Sequence, residues 1–472
     1  MTIRLSRRFG ASLGAMLAVL GAAPALADST TDFGRATVTL GGFIAMESVY
    51  RSRSETADIG SNFSAVPFSN APTGHMSETR GTARQSRLTL LAQGDVDSDT
   101  HLTAYYEMDF LGAAQTANSN QSNSYNLRIR NIYTTIDWDS LGLQLLAGQN
   151  WSLVTLNSHG ITPRNEVPPA TIDAQYAMGF NWKRQPQLRI TKNWNKEFWM
   201  AASVENPQTT FAANAAAAPG VAVTNNHAGG SQLDSVNNFS LNHIPDFVGK
   251  IAWEPMIGDS QPLHMEVLGV YRSFYDRVNT AATNGLGLPA SINNRNVSGG
   301  GVGGSITWTA IPKTLDLQAT AMTGSGIGSY ASGTLPDTTF NANGSLAPIQ
   351  QTSFLGGITW HTSPSLDLYA YGGQEAQQRK NYIVGAATLG LGSPTLNLGG
   401  CFVEGGTCSP HIQTADQFVG GFWWKAYQGK FGSFRFGMQY SYTKLFAFTG
   451  ASGLRPTTDD SMVFTSVRYY PF

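Results

Sequence analysis

The sequence has little charge. Its 472 residues include 30 Lys plus Arg and 31 Asp plus Glu, so 13% are charged and the formal net charge is −1. Soluble domains average about 25% charged residues. The balance of signs argues against a nucleic-acid-binding protein, because no basic excess is present to neutralise phosphates. Intrinsic disorder is excluded, since disordered chains combine a high net charge with few aromatic residues.

The sequence also lacks a long hydrophobic run after its first 27 residues. No stretch of about 18 apolar residues occurs there, which excludes a transmembrane helix. The apolar fraction is only 41%, and the chain is instead rich in Gly (51) and in Phe, Tyr and Trp (24 + 17 + 10 = 51). This composition favours a membrane-associated β-protein, in which only alternate side chains of each strand face lipid.

The first 27 residues predict a cleaved signal peptide. Three arginines precede the mostly apolar stretch Phe9 to Leu20, and Ala25-Leu26-Ala27 forms a small-x-small cleavage site. The alternative is a buried N-terminal helix. Cleavage would leave 445 residues (472 − 27) with a net charge of −4, because the removed segment carries three positive charges and no acids (−1 − 3). We therefore expect an exported protein, with a short segment, 28–35, ahead of its folded part, 36–472.

The chain contains only two cysteines, Cys401 and Cys408, in a Gly-rich stretch. Even with the nearby His411 they cannot supply the four ligands of a zinc site. In an exported protein such a pair predicts a disulfide that closes a surface loop. Because the ring is short, we expect its stabilising effect to be local.

Period-two alternation runs through the mature chain. In GSFRFGMQYSYTKLFAF one face carries aromatic and apolar side chains at alternate positions from Phe434 to Tyr442, and THLTAYYEMDF alternates in the same way from Leu102 to Phe110. Sixteen strands are predicted: 36–51, 80–95, 99–112, 126–139, 141–150, 184–194, 197–206, 246–255, 263–277, 299–311, 315–327, 352–362, 366–378, 415–428, 432–448 and 460–472.

Long and short connections alternate strictly between these strands. The long ones are 52–79, 113–125, 151–183, 207–245, 278–298, 328–351, 379–414 and 449–459. The alternation predicts a transmembrane, antiparallel, up-and-down β-barrel with short periplasmic turns and long extracellular loops. Aromatic residues near the strand ends are expected to form the interfacial girdles, namely Trp423, Trp424, Tyr440, Tyr442, Tyr469 and Tyr470, and the last strand is expected to end at Phe472.

Two short motifs that suggest enzymes are discounted. GxSxG at Gly10–Gly14 lies in the segment to be removed, and GxGxxG at Gly299–Gly304 precedes a strand and not a phosphate-binding helix. The eight His residues show no metal-binding spacing. We therefore expect neither an enzyme nor a cofactor.

Basic residues recur on the predicted inner face of the early strands. In LRIRN, Leu127 and Ile129 face one way and the two arginines that alternate with them face the other, which is the lumen if the apolar face meets lipid. The same reasoning places the following residues in the lumen: Arg87, Arg128, Arg130 and Arg189, together with the acids Glu107 and Asp109. Such a ladder would attract anions. The alternative is that these charges only solvate a water-filled interior.

The loop 151–183 is the candidate constriction. It carries Arg164, Glu166 and Asp173, and three prolines stiffen it. Long loops without secondary structure are often functional, although a merely exposed loop is the alternative.

The sequence resembles the DcaP-like porins, a group of bacterial trimeric porins. The resemblance rests on RQSRLTLLAQGDVDSDTHLTAYYEMDF, on LRIRNIY followed by LLAGQNWSL, and on RQPQLRITKNW leading to ASVENP. It implies a sixteen-stranded trimeric channel for small, mainly anionic solutes, whose pore is lined by basic residues and narrowed by an inward-folded loop. The positions that match are Arg87, Arg128, Arg130 and Arg189. The chain departs from some members because no N-terminal coiled coil precedes its first strand.

We therefore expect an outer-membrane porin for passive diffusion of small hydrophilic, preferentially anionic solutes. Its expected partners are outer-membrane lipid and two further copies of itself in a homotrimer. Two alternatives stay open, an adhesin or receptor barrel that displays its long loops and, less favoured by the scattered Ser and His residues, an outer-membrane hydrolase barrel. Steady ion conductance across a planar bilayer would separate a pore from both.

Overall fold

The computed structural model describes residues 29–34, 36–112, 126–212, 217–228, 238–258, 260–280 and 291–471. The predicted signal peptide and the terminal Phe472 lie outside this part of the chain. Within it, no helix is long and apolar enough to cross a membrane.

Sixteen barrel strands run through the described residues, and the second is interrupted. They are β1 (Thr37–Arg51), β2 (Glu78–Thr82 and Arg87–Asp95), β3 (Thr100–Asp109), β4 (Arg128–Trp138), β5 (Leu143–Trp151), β6 (Arg184–Trp194), β7 (Phe198–Glu205), β8 (Asp246–Trp253), β9 (Gln261–Asn279), β10 (Ile292–Ile311), β11 (Leu315–Ser325), β12 (Gln350–Ser363), β13 (Leu366–Gln377), β14 (Ile412–Gly429), β15 (Gly432–Ala447) and β16 (Thr457–Tyr470).

The strands form one closed antiparallel barrel. Each pairs with the next in the chain, and β1 pairs with β16 from Ile44↔Tyr469 to Arg51↔Met462. β1 also pairs with both segments of β2, so the interruption of β2 does not open the wall. Closure satisfies the backbone hydrogen bonds that lipid cannot satisfy. The prediction of a sixteen-stranded up-and-down barrel is confirmed.

The connections alternate in length as predicted. Short turns of two to seven residues join β2 to β3, β4 to β5, and so on around one end, which we call the turn end. The long loops lie at the opposite end, the loop end. The loops and termini contain short strands and 3-10 helices: Ser29–Asp32, Ala222–Thr224, Asn226–Ala228, Asn238–Ser240, Met256–Ile257, Thr338–Phe340, Leu346–Pro348, Lys380–Val384 and Ala387–Leu391, and the helices Phe63–Ala65, Pro72–His75, Gly328–Tyr330 and Gly399–Phe402.

Alternation along the strands separates an apolar outer face from a polar inner one. In β8, Phe247, Ile251 and Trp253 are exposed on the outside, whereas Lys250 and Asp246 are buried inside. A strand with an apolar residue at every second position directs these side chains towards lipid when the barrel closes.

Two of the predicted girdle residues face the interior instead. The Trp423 indole N–H donates to the carbonyl of Ala170, 2.8 Å away, and the Tyr470 ring packs 5.1 Å from that of Phe43. Trp424, next to Trp423 in β14, and Tyr440 of β15 are exposed on the outer face, as expected. The prediction was wrong for Trp423 and Tyr470, because adjacent residues of a strand point to opposite faces and only one of each pair can meet lipid.

Candidate functional site

The long loop between β5 and β6, residues 152–183, folds into the barrel. We call it the inner loop. Leu153, Ile161, Ile172 and Phe180 are almost fully buried against the inner wall, which accounts for much of the hydrophobic packing inside the barrel. The sequence-based prediction of a constricting loop thus has a structural counterpart in a loop that occupies the lumen.

The first part of the inner loop is bound to strands β7 to β9. The Leu153 N–H donates to Glu205, and the Asn157 N–H donates to Glu266, 3.1 Å away. The Lys250 ammonium donates to the Thr155 carbonyl at 2.7 Å and pairs with Glu266 at 2.9 Å. Backbone groups of the loop therefore find their partners on wall side chains, which fixes its path.

The second part of the inner loop is bound to the opposite wall. The Ile172 N–H donates to Gln439 at 2.6 Å, the Met178 N–H to Gln417 at 2.9 Å and the Gly179 N–H to Glu375 at 2.9 Å. Gly179 has a positive φ of 81°, and a Cβ there would collide with the Phe354 carbonyl of β12. Only glycine permits this close approach. The loop consequently spans the lumen from β7–β9 to β12–β15.

The three residues predicted in this loop have different environments. The Arg164 side chain is exposed and its guanidinium lies 6.0 Å from the ring of Tyr105 on the inner face of β3. Glu166 accepts the Arg164 N–H at 2.8 Å, and burial raises the pKa of its carboxyl. Asp173 is 1% exposed and accepts the Ser61 and Gln175 N–H groups, and burial raises its pKa to about 6. Arg164 is thus the one of the three that faces open space.

Arg87, Arg128 and Arg130 converge on two carboxylates across β2, β3 and β4. Arg128 forms a bidentate pair with Asp109 at 2.9 and 2.6 Å. Arg130 pairs with Glu107 at 2.5 Å and with Asp109 at 3.1 Å, and Arg87 pairs with Glu107 at 3.1 Å. The alternation that placed all five side chains inside the barrel also brought them into contact.

Arg189 lies inside the barrel but does not border open space. It is 2% exposed, and its guanidinium donates to Gln187 at 3.0 Å and to the carbonyl of Trp151. The inner loop covers this part of β6, since the Ile161 carbonyl accepts the Thr191 hydroxyl. Strand parity could not predict this burial, because it depends on the path of a loop.

Arg184 belongs to the basic residues of the early strands, but the sequence did not assign it to the lumen or reveal the aromatic group beside it. The guanidinium carbon of Arg184 lies 4.8 Å from the Trp151 ring centroid and 5.0 Å from that of Trp182. Tyr176 packs against both indoles. We call Trp151, Tyr176 and Trp182 the aromatic shelf. The signal available in the sequence was the run Trp182-Lys183-Arg184 at the end of the inner loop.

The Tyr176 hydroxyl reports a positive potential at the shelf. Burial alone would raise its pKa, but the guanidinium groups of Arg130, Arg184 and Arg87 act against burial, and the net shift is downward. Arg130 donates to this hydroxyl at 3.3 Å. The positive charge of these three guanidinium groups thus outweighs the effect of burial at Tyr176.

Because β1 pairs with β16, two further arginines, Arg468 and Arg435, lie near the arginines of β2 to β4. Arg468 of β16 pairs with Glu47 at 2.7 Å, and its guanidinium lies 4.9 Å from the Phe43 ring centroid. Arg87 lies 5.2 Å from the same centroid. Arg435 stacks 4.6 Å from Tyr470. These residues are far from β2 in sequence, so only the β1–β16 pairing reveals that they extend the same basic surface.

Cys401 and Cys408 are bonded to each other at the loop end, with 4.7 Å between their Cα atoms. The ring that they close contacts the first long loop, because Gly405 donates its N–H to the Asn70 carbonyl and the Asn70 side chain donates to Gly406. The described residues contain no group of three or more His, Cys, Asp or Glu side chains placed to hold a metal ion.

No protein-family model matches the sequence, and no curated protein matches it. Solved structures do match. The outer membrane channel DcaP of Acinetobacter baumannii is 18% identical with a TM-score of 0.62, and the match covers 93% of this chain and 99% of that chain. OprB of Pseudomonas putida is 8% identical with a TM-score of 0.50, covering 91% and 94%. The resemblance to DcaP is confirmed at the level of the fold, which is that of a bacterial outer-membrane β-barrel.

Proposed function

We propose that the protein is a porin of the bacterial outer membrane, through which small hydrophilic solutes diffuse passively and anions pass preferentially. The observation that carries the proposal is the cluster of arginines on the inner wall beside a loop that narrows the lumen. In outer-membrane barrels the short turns face the periplasm and the long loops face the exterior, so we place the turn end of this barrel in the periplasm and its loop end outside the cell.

The arginines near the inner loop outnumber their acids. Among the described residues, Arg87, Arg128 and Arg130 pair with Glu107 and Asp109 while Arg184 beside them has no ion-pair partner, so the four arginines and two acids carry a local charge of +2 (4 − 2) in a protein whose total charge is close to zero. A narrow passage with low-dielectric walls concentrates the field of such charges and raises the local concentration of anions. The position of these arginines in the lumen, and not the total charge of the protein, supports the proposed preference for anions.

The assembly proposed is a homotrimer in outer-membrane lipid. The outer face is apolar over most strands, so that each barrel can lie in a bilayer. The trimer itself is proposed because the sequence resembles that of trimeric porins. Crosslinking followed by mass measurement of the detergent-solubilised protein tests it, and a monomer at all crosslinker concentrations would contradict it.

The proposed function is tested by the reversal potential across a salt gradient in planar bilayers. We expect anion selectivity for the natural protein and a shift towards cations for Arg128→Glu, whose side chain is one-third exposed on the inner wall. Arg277→Glu makes the same charge change on the outer face, where Arg277 is exposed, and should leave selectivity unchanged. The shift should shrink at high salt, because the Debye length falls from about 10 Å at 0.1 M to about 3 Å at 1 M.

Absence of conductance, or cation selectivity of the natural protein, would overturn the proposal. An equal shift for the two variants would show that net charge, and not placement in the lumen, sets the selectivity.

A further inference from the structure

Arg184 differs from the other arginines of the basic cluster. Arg87, Arg128 and Arg130 each have a carboxylate within 3.1 Å. Among the described residues, no Asp or Glu lies within ion-pair distance of Arg184, and its buried Nη1 finds no hydrogen-bond partner. A buried donor without an acceptor is costly and rare in folded proteins. The guanidinium therefore requires an acceptor that the described chain does not supply.

The surroundings hold Arg184 in place. Trp182 is fixed by its indole N–H, which donates to the Ser332 hydroxyl at 3.0 Å. The backbone of Trp151 is held through its carbonyl oxygen, which accepts hydrogen bonds from the Gln187 side chain at 3.0 Å and from the Arg189 guanidinium. The guanidinium carbon lies 4.8 and 5.0 Å from the two ring centroids, which are only 5.8 Å apart, so both indoles contact it from one side and do not cover the other.

The neighbouring charges favour an anion as the missing acceptor. Arg130 and Arg128 are close enough to act electrostatically on Arg184, and so is Glu107. Glu107 is already engaged by Arg87 and Arg130. An arriving anion would therefore meet one guanidinium free to bind it and two more whose positive charge adds to the attraction.

We propose that Arg184 is the residue that directly binds a permeating anion, through a pair of anionic oxygens on a carboxylate or a phosphate. The planar fork of a guanidinium matches such a pair. Arg87, Arg128 and Arg130 provide the field but do not release their own carboxylates. This inference rests on the proposed porin function and assigns one residue to its selectivity.

The test is a titration of intrinsic tryptophan fluorescence in the folded, detergent-solubilised protein, because two indoles contact Arg184. Acetate, inorganic phosphate and chloride are added at constant ionic strength. We expect a saturable signal with acetate, phosphate or both, and at least about tenfold weaker binding in Arg184→Gln, which loses a charge-assisted hydrogen-bond donor.

Matched variants separate this effect from loss of charge or fold. Arg84→Gln removes an arginine that pairs with Asp58 at 2.7 Å near the loop end, and should titrate like the natural protein. Arg184→Lys keeps the charge but loses the fork, and should bind more weakly than the natural protein and more tightly than Arg184→Gln. The heat-modifiable gel mobility of folded barrels checks that each variant is folded.

The outcomes distinguish the inference from the function on which it rests. A signal with acetate alone identifies a carboxylate site and one with phosphate alone a phosphate site, and both support the inference. No saturation, an equal response to chloride, or equal binding by Arg184→Gln overturns it, even where bilayer currents show an anion-selective pore. Absence of such a pore refutes the proposed function separately.

Discussion

Asp173 is a buried acid whose titration should be visible in the stability of the barrel. Its carboxylate lies between the inner loop and the first long loop, accepting N–H groups from Ser61 at 3.1 Å and from Gln175 at 2.8 Å, while its Oδ2 has no partner among the described residues. Burial raises its pKa from 3.8 to about 6. We expect Asp173→Asn to abolish the resulting pH dependence, because asparagine can accept the same two hydrogen bonds without a charge.

The sign and size follow from proton linkage. Below pH 3.8 the carboxyl is protonated in both the folded and the unfolded chain. Between pH 3.8 and about 6 only the folded chain holds the proton, so the free energy of unfolding falls as the pH rises through this window. The shift of 2.2 pH units (6 − 3.8) corresponds to about 3 kcal/mol at 1.36 kcal/mol per unit. Asp173→Asn should therefore match the natural protein at pH 4 and exceed its stability by about 3 kcal/mol at pH 7.

The assay is guanidinium-induced unfolding of the detergent-folded protein between pH 4 and 7. Asp97→Asn is the control without pH dependence in this range, since backbone N–H groups of Asp99 and Thr100 lower the pKa of Asp97 from 3.8 and its contribution is lost only below pH 4. Glu55, whose pKa burial raises from 4.5 to about 8, adds a fall in stability of the same sign to both proteins as the pH rises. A difference between Asp173→Asn and the natural protein that stays constant from pH 4 to 7 would refute the reasoning.

Three further outcomes are expected. Lys250→Met should lower the free energy of unfolding by about 3–5 kcal/mol, because it removes the ammonium that pairs with the buried carboxylate of Glu266, as measured by guanidinium unfolding. Cys401 and Cys408 should be joined by a disulfide in freshly isolated protein, as mapped by mass spectrometry of non-reduced peptides. The mature protein should begin at Asp28, as measured by its intact mass.

Each of these has a clear contrary result. Lys430→Met, in an exposed turn, is the control for the buried lysine, and an equal effect of the two changes would contradict the ion-pair interpretation. Two free thiols would contradict the disulfide. An intact mass that retains the first 27 residues would contradict cleavage.

The strands were predictable wherever their outer face is continuously apolar. The bounds of β6 were predicted without error, because Leu188 and Ile190 mark one face. β10 was predicted to begin at 299 but begins at Ile292, since its first residues are mostly polar and carry no alternating pattern. β2 was predicted as one continuous strand but is interrupted. Arg84 lies in the interruption, where strand parity does not apply, and donates to Asp58.

The residues of the site were predictable only where the alternation of side chains along a strand decides which face they occupy. Parity placed Arg128 and Arg130 on the inner wall, and the acids that pair with them were recognisable on the adjacent strand. The burial of Arg189 and the aromatic shelf depend on where the inner loop runs. That path is set by hydrogen bonds to side chains of β7–β15, which no local pattern encodes.

The pairing of β1 with β16 has a consequence for the biogenesis of the protein. Pairing of the first and last strands brings Arg468 of β16 within 4.9 Å of the ring centroid of Phe43 on β1, which Arg87 of β2 also approaches, to 5.2 Å. The partners of the inner loop also lie mainly on strands synthesised after it. A barrel that has not yet closed therefore has neither its narrowed lumen nor its complete basic surface. The selectivity that we propose therefore requires the final step of assembly, in which β1 and β16 pair.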